Sequence, residues 1–263
     1  MSERLGTPMM RLLLIGLLLV LLQIPLGMIQ GLIGERQARR NDAVDEVMGK
    51  WGQRQSVNGP LLRIPYIHHV DLGGTPPRRV AQTEYAYFLP ARLDIQSRLH
   101  SQLRRRGLFE VPVYDAQLTL SGHFDAPDWT ALHVAVEDID LKDAELVLGI
   151  SDVRAVHADV HLLWDGQELP FRPSGGADAE WKFSGVHAPL QDAAQTLARS
   201  DGVEFRITAG INGSVALDFA PMAEQTTAMV AADWPHPSFD GAWLPTQHQE
   251  QDGGFSARWS VSY

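Results

Sequence analysis

Between Leu12 and Leu22 the chain carries eleven apolar residues without a break, and only Gln23, Pro25 and Gln30 interrupt the run before Ile33. A backbone in hydrocarbon has no water to bond to, so such a stretch has to satisfy its own amides as a helix. The 22 residues from Leu12 to Ile33 match the ~20 needed to cross a ~30 Å core at ~1.5 Å per residue. One lipid-spanning helix through Leu12 to Ile33 is therefore the first element expected, kinked at Pro25 or continuous toward Lys50.

A cleaved signal peptide is the alternative, because the eleven-residue run also fits an apolar signal region. No Ala-x-Ala-like site follows it, and Val44, Val47, Met48 and Trp51 continue a helical stripe beyond the span. The reading adopted is an uncleaved signal-anchor over 1–34, a juxtamembrane helix or linker over 35–56, and a β-rich domain over 57–263. Flanking charge bears on orientation. Arg4 and Arg11 precede the span while Arg36, Arg39, Arg40 and Lys50 follow it, which by the positive-inside rule places the domain in the cytoplasm. Long domains translocate largely regardless of that rule. The absence of cysteine is compatible with an oxidising compartment.

From Gly59 onward the pattern is that of strands, with Val, Ile, Leu, Tyr and Phe alternating with polar residues between Gly, Pro or Asp clusters. Val156, Ala158, Val160, Leu162 and Trp164 share one parity and run into Asp165-Gly166, a strong two-residue hairpin signal. That turn sets Leu162 opposite Leu169 and Val160 opposite Phe171, with the apolar faces in phase. At Asn212-Gly213 a two-residue loop puts the apolar sets out of phase. A three-residue turn with Gly213 at positive φ, or a single long strand, is expected instead. A parity change near Tyr114 predicts a bulge, with Pro112 at an edge or irregular point. Asp128 to Val134 and Leu190 to Arg199 are the helical candidates in the domain, and Gly73-Gly74 and Gly175-Gly176 read as loop tips. The fold class expected is mainly β: an antiparallel, sandwich-like domain preceded by a single N-terminal transmembrane helix.

Composition excludes more chemistry than it offers. The net charge is −10, and residues beyond 50 hold 16 basic and 27 acidic side chains, a balance that repels nucleic acid. Arg104-Arg105-Arg106 reads as a solvated turn rather than an anion site. His157 and His161, on one strand face, stand ~13 Å apart, too far for one metal. His68 and His69 point to opposite faces of a strand. The acidic segment Glu137 to Glu145 fails as a calcium loop, since Lys142 replaces an oxygen ligand, Asp143 the required Gly, and Gly149 the closing Glu. No nucleophile elbow, zinc-protease helix, phosphate loop or dinucleotide fingerprint occurs. No cofactor, metal ligand or catalytic residue is expected. Carboxylates assembled from distant strands keep a hydrolase reading open.

The candidate interaction motif is Trp234, Pro235, His236, Pro237, Ser238, Phe239, Gly241 and Trp243, with Leu244-Pro245 and Gly254 to Trp259 just beyond. Prolines on both sides of His236 exclude helix and regular ladder, so the segment reads as a rigid corner that packs or binds. His236 is the one histidine in a constrained setting. Asp152 and Arg154, two apart on a strand face, form a candidate structural ion pair.

That corner resembles the CreD family of inner-membrane, cell-envelope integrity proteins. So do Gly59 to Pro65, Arg106 to Tyr114, Leu118 to Phe124 and Ser151-Asp152-Val153-Arg154. The resemblance implies a periplasmic domain, a role in envelope integrity through protein or envelope-component contacts with an unnamed partner, and regulation by the Cre two-component system. An envelope hydrolase and a periplasmic ligand-sensing domain are the alternatives. Trp259, Val261 and Tyr263 alternate up to the last residue, so the chain is expected to be a fragment or shortened member lacking the family's later membrane spans.

Overall fold

The computed structural model describes residues 8–74, 78–173, 184–251 and 253–262; the expected loop tip at Gly175-Gly176 and the final Tyr263 lie outside them. Helix α1 (Pro8–Trp51) is 44 residues long and carries Pro25 in its interior. Its apolar residues from Leu12 to Ile33 are solvent-exposed in the isolated chain, so they need lipid to cover them. The helix passes residue 34 without a break and stops at Gly52, whose N–H bonds to the Met48 carbonyl at 2.9 Å. Gly52 has φ 126°, and a Cβ there would lie 2.7 Å from the Asn212 carbonyl oxygen. Only glycine can turn the chain at that point.

The chain divides into two compact units: α1 up to Val47 together with Arg105–Val111, and Met48–Arg104 together with Pro112 onward. The second holds two sheets. Its strands are β1 (Gln55–Asp71), β2 (Arg79–Phe88), β3 (Arg92–Arg106), β4 (Phe109–Phe124), β5 (Glu145–Ile150), β6 (His161–Trp164), β7 (Gln167–Pro170), β8 (Arg172–Pro173), β9 (Gly185–Pro189), β10 (Val203–Gly213), β11 (Leu217–Phe219), β12 (Gln225–Ala232), β13 (Gln247–Gln251) and β14 (Gly254–Ser262). One sheet runs β11-β1-β5-β9-β8, with β2 also on β1, and the other runs β13-β14-β12-β3-β4-β10-β6-β7. Both are antiparallel apart from one parallel pair each, β1 with β11 and β12 with β3.

Alternation places the core. Leu62 and Ile64 of β1 and Leu146 and Leu148 of β5 are buried in one cluster with Leu93, Leu118, Leu120, Leu162 and Ile207 of the other sheet. Each such side chain contributes about 1.5–3 kcal/mol by leaving water. At one end Phe124 stacks obliquely on Trp164 and Phe205, with centroids 5.9 and 5.2 Å apart. The sandwich-like, mainly β architecture expected from the sequence is the one observed.

Details divide. Leu162 pairs with Leu169 across the Asp165-Gly166 turn, and both turn residues have positive φ, 48° and 81°. The ladder ends at His161–Pro170, so Val160 and Phe171 only pack on the core. The long strand expected from Val156 shrinks to β6, because Val153–Ala155 forms a 3₁₀ turn and Val156 makes an isolated bridge to Ile211. Asn212-Gly213-Ser214 is no hairpin. Strand β10 lies in one sheet and β11 in the other, so the chain crosses between layers there. Gly213 does not take a positive φ; its role is space, since a Cβ would fall 2.2 Å from the Tyr114 ring. Val113 and Tyr114 are both buried, which is the parity change expected near Tyr114. Trp129–Leu132 forms a 3₁₀ turn capped by Asp128, and helix α2 (Ala193–Thr196) keeps one turn of the second helical candidate.

Candidate functional site

The Trp234–Trp243 segment leaves β12 and returns through β13 to β14. Its first residue is fixed by Asp233, whose carboxylate accepts the Ser101 N–H at 2.7 Å and faces His100 Nδ1 at 3.3 Å. Burial alone would push the Asp233 carboxyl up, but the Ser101 bonds and His100 together hold it below its ordinary value.

Register explains where the loop lands. Ala257 pairs with His248 and Phe255 with Glu250, so these four residues share one sheet face, and Trp259 continues it. Phe239 packs on that face edge-to-ring against Phe255 at 6.0 Å, Trp259 at 5.4 Å and His248 at 6.0 Å. Trp234 meets Phe255 at 5.6 Å and 76°. Trp259 Nε1 donates to the Trp243 carbonyl at 3.2 Å, and the Thr246 N–H to the Arg258 carbonyl at 2.8 Å. Edge-on aromatic pairs of this kind each add about 0.5–1.5 kcal/mol beyond area burial.

The corner therefore has two halves. Trp234 and Phe239 are half-buried, whereas Trp243 is 44% and Leu244 67% exposed. Pro235, Ser238 and Gly241 are exposed and Pro237 half-buried. His236 adopts left-handed backbone, φ 59°, and its side chain, 85% exposed, stands 3.3 Å from Glu250. Beside them runs β13, exposed along its whole length and terminal in its sheet among the described residues.

Asp152 and Arg154 meet, but not across a strand face. Asp152 caps the 3₁₀ turn by accepting the Arg154 N–H and receives its guanidinium at 2.9 Å through both oxygens. That guanidinium, through its hydrogen bonds, holds the carboxyl below its ordinary range. The preceding Ser151 hydroxyl accepts the Ser56 N–H and donates to Gln55, each at 3.0 Å. Gln55 is fully buried, and its Nε2 finds no hydrogen-bond partner among the described residues. Nearby, Trp51 Nε1 donates to the Tyr114 carbonyl at 3.1 Å, Arg104 lies 4.0 Å over the Trp51 ring, and the Tyr114 hydroxyl donates to the Ala216 carbonyl at 2.7 Å. The sequence marked Ser151 to Arg154 as a string; only the fold shows it bracing the residues that follow α1.

The histidines do not assemble a metal site. His157 lies outside β6 and meets Asp115 at 2.7 Å, while His161 meets Glu168 at 2.9 Å. Among the described residues no group of three potential ligands gathers.

The family profile described as inner membrane protein CreD matches residues 7–263. The chain belongs to the CreD family. It is similar to the inner membrane protein CreD of Escherichia coli (strain K12), 26% identical over 245 residues, which are 93% of this chain and 53% of that protein. The chain thus spans about half the length of the curated relative it matches. No solved structure matches it. Membership places this CreD-family chain among inner-membrane proteins, with α1 as a helix long and apolar enough to span. Phe255 and Trp259 lie in the Gly254 to Trp259 stretch that the sequence sets beside the corner, whereas Asp233 and His248 carry no local motif; strand register places His248 on the face of Phe255 and Trp259.

Proposed function

We propose that this CreD-family protein holds its β-domain on the periplasmic side of the inner membrane and supports envelope integrity by docking a protein partner. The observation that carries this reading is the outward half of the corner. Trp243 and Leu244 stand exposed beside β13, which is terminal in its sheet among the described residues and so offers backbone groups to an added strand. The inward half keeps that surface rigid, which lowers the ordering cost of binding. Catalysis finds less support. Among the described residues, every carboxyl with a resolved shift moves down, at Glu84, Asp128, Asp152, Asp201 and Asp233, whereas a general acid at neutral pH needs one moved up.

Two measurements test it. The chain has no cysteine, so Gln249→Cys creates a sole thiol, and a membrane-impermeant maleimide should label it in spheroplasts before lysis. Labelling only after lysis would reverse the orientation. In cells lacking the native gene, uptake of an impermeant dye should be restored to normal by the wild-type protein but not by Leu244→Asp or Gln249→Pro. Full restoration by both variants, at equal protein levels, would remove the docking surface.

A further inference from the structure

We propose that the β3–β4 hairpin tip, together with the arginines that follow the span, binds anionic phospholipid headgroups at the membrane surface. Arg104-Arg105-Arg106 looks like a solvated turn in the sequence, but the fold gives it neighbours. In the unit formed by α1 and Arg105–Val111, Arg106 Nε bonds to Glu46 of the helix at 2.8 Å, and Arg105 pairs with Glu110 within the hairpin at 2.7 Å. Gly107, at φ 59°, makes the turn, and Leu108 at the tip is 95% exposed.

An open groove of about 490 Å³ lies here, lined by Arg36, Arg39, Ala43, Arg106, Gly107, Leu108 and Phe109. Three guanidinium groups line it; Arg39 also pairs with Glu35 one turn earlier at 2.5 Å, and Arg106 with Glu46, exposed pairs that a phosphate can replace. Arg36, Arg39 and Ala43 follow helical spacing, so they share one face of α1. The groove's position decides its ligand. Along the axis at ~1.5 Å per residue, Arg36 lies ~4.5 Å and Ala43 ~15 Å beyond Ile33, where the apolar stretch ends. Each headgroup layer is ~5–8 Å deep, so Arg36 and Arg39 fall within or against it. Guanidinium forks match phosphate oxygens, and an apolar tip beside them inserts between headgroups as interfacial anchors do. A lone exposed leucine is ordinary; one set beside Phe109 and three arginines at this depth fits a lipid surface.

The test uses the full chain in nanodiscs. Leu108→Cys introduces the sole thiol, labelled with an environment-sensitive dye. The dye should emit further to the blue, and be quenched several-fold more by headgroup-level nitroxide lipids, in discs holding one-third phosphatidylglycerol than in pure phosphatidylcholine. The difference should vanish in about 1 M salt, where the screening length is ~3 Å, and in the Arg36→Gln, Arg39→Gln double variant. A dye at Gln249→Cys should respond to neither lipid. Equal signals in both lipids, or a signal unchanged in the double variant, would overturn the proposal. Reversal by millimolar inorganic phosphate would replace it with a free-anion site. Urea unfolding of the variants reports whether the β-domain stays intact, which exposed arginines predict.

Discussion

Phe239 stands edge-on to Trp259, ring centroids 5.4 Å apart and planes at 82°, although one residue lies in an irregular loop and the other in β14. The contact turns a proline-rich segment into a lid over the inner face of the β13–β14 pair. The same lid leaves Trp243 and Leu244 outside.

Phe239→Ala should therefore destabilise the domain by about 2–3 kcal/mol, below the ~3–5 of a fully buried ring because Phe239 is half-buried. Trp243→Ala should cost less, about 1 kcal/mol, since the residue is 44% exposed. Urea unfolding followed by tryptophan fluorescence measures both. Equal costs would mean that the two-halves description of the corner is wrong.

Gly166→Val places a β-branched residue at φ 81° in the turn between β6 and β7. A loss of about 1–2 kcal/mol is expected. Asp165→Asn should leave the turn intact, because Asn tolerates left-handed backbone, while weakening the pairing with Arg199 at 2.8 Å. Thermal unfolding distinguishes the two, and a neutral Gly166→Val would show that the turn is not strained by a side chain.

Gly52→Ala combines φ 126° with a Cβ 2.7 Å from the Asn212 oxygen. Backbone strain alone costs ~1–3 kcal/mol, so a loss of about 3 kcal/mol is expected. Gly49→Ala, where a Cβ meets nothing, should be neutral or slightly stabilising. Comparing melting temperatures of the two variants in detergent settles it.

Asp233 gives a pH signature. Its carboxyl is held below its ordinary value in the fold, so its contribution is present above the unfolded value of ~3.9 and is lost as pH falls through the lower folded one. Asp233→Asn should be less stable than wild type at pH 7, and the gap should close below roughly pH 4. Melting curves across that range provide the check. A gap constant down to about pH 2 would show that charge at this position is irrelevant.

Legibility followed the range of the interactions. The helix through Leu12 to Ile33 and the Asp165-Gly166 turn rest on neighbours within a few residues, and each is present where the pattern placed it. The turn expected at Asn212-Gly213-Ser214 failed because Gly213 makes room for Tyr114, a ring on β4, and Ser214 is drawn to Gly52 and Gln53 by hydrogen bonds at 2.7 and 3.1 Å. No parity count sees either contact. The pattern that sets His157 and His161 on one strand misses the 3₁₀ turn at Val153–Ala155 for the same reason, since that turn depends on Asp152 capping it rather than on periodicity.

The sequence by itself determined that Leu12 to Ile33 needs lipid, that the rest folds as alternating strands, and that Trp234 to Trp243 cannot join a ladder. Those follow from apolar length, side-chain period and the missing amide of proline, all properties of adjacent residues. Tertiary structure alone decided that Phe239 faces inward and Trp243 outward, that β10 and β11 part into different sheets, and that Arg106 lies beside Arg36 and Arg39. Each of those depends on which strands and turns meet in space. Such meetings are set by the summed burial of the two sheets, and no local stretch of chain encodes that sum.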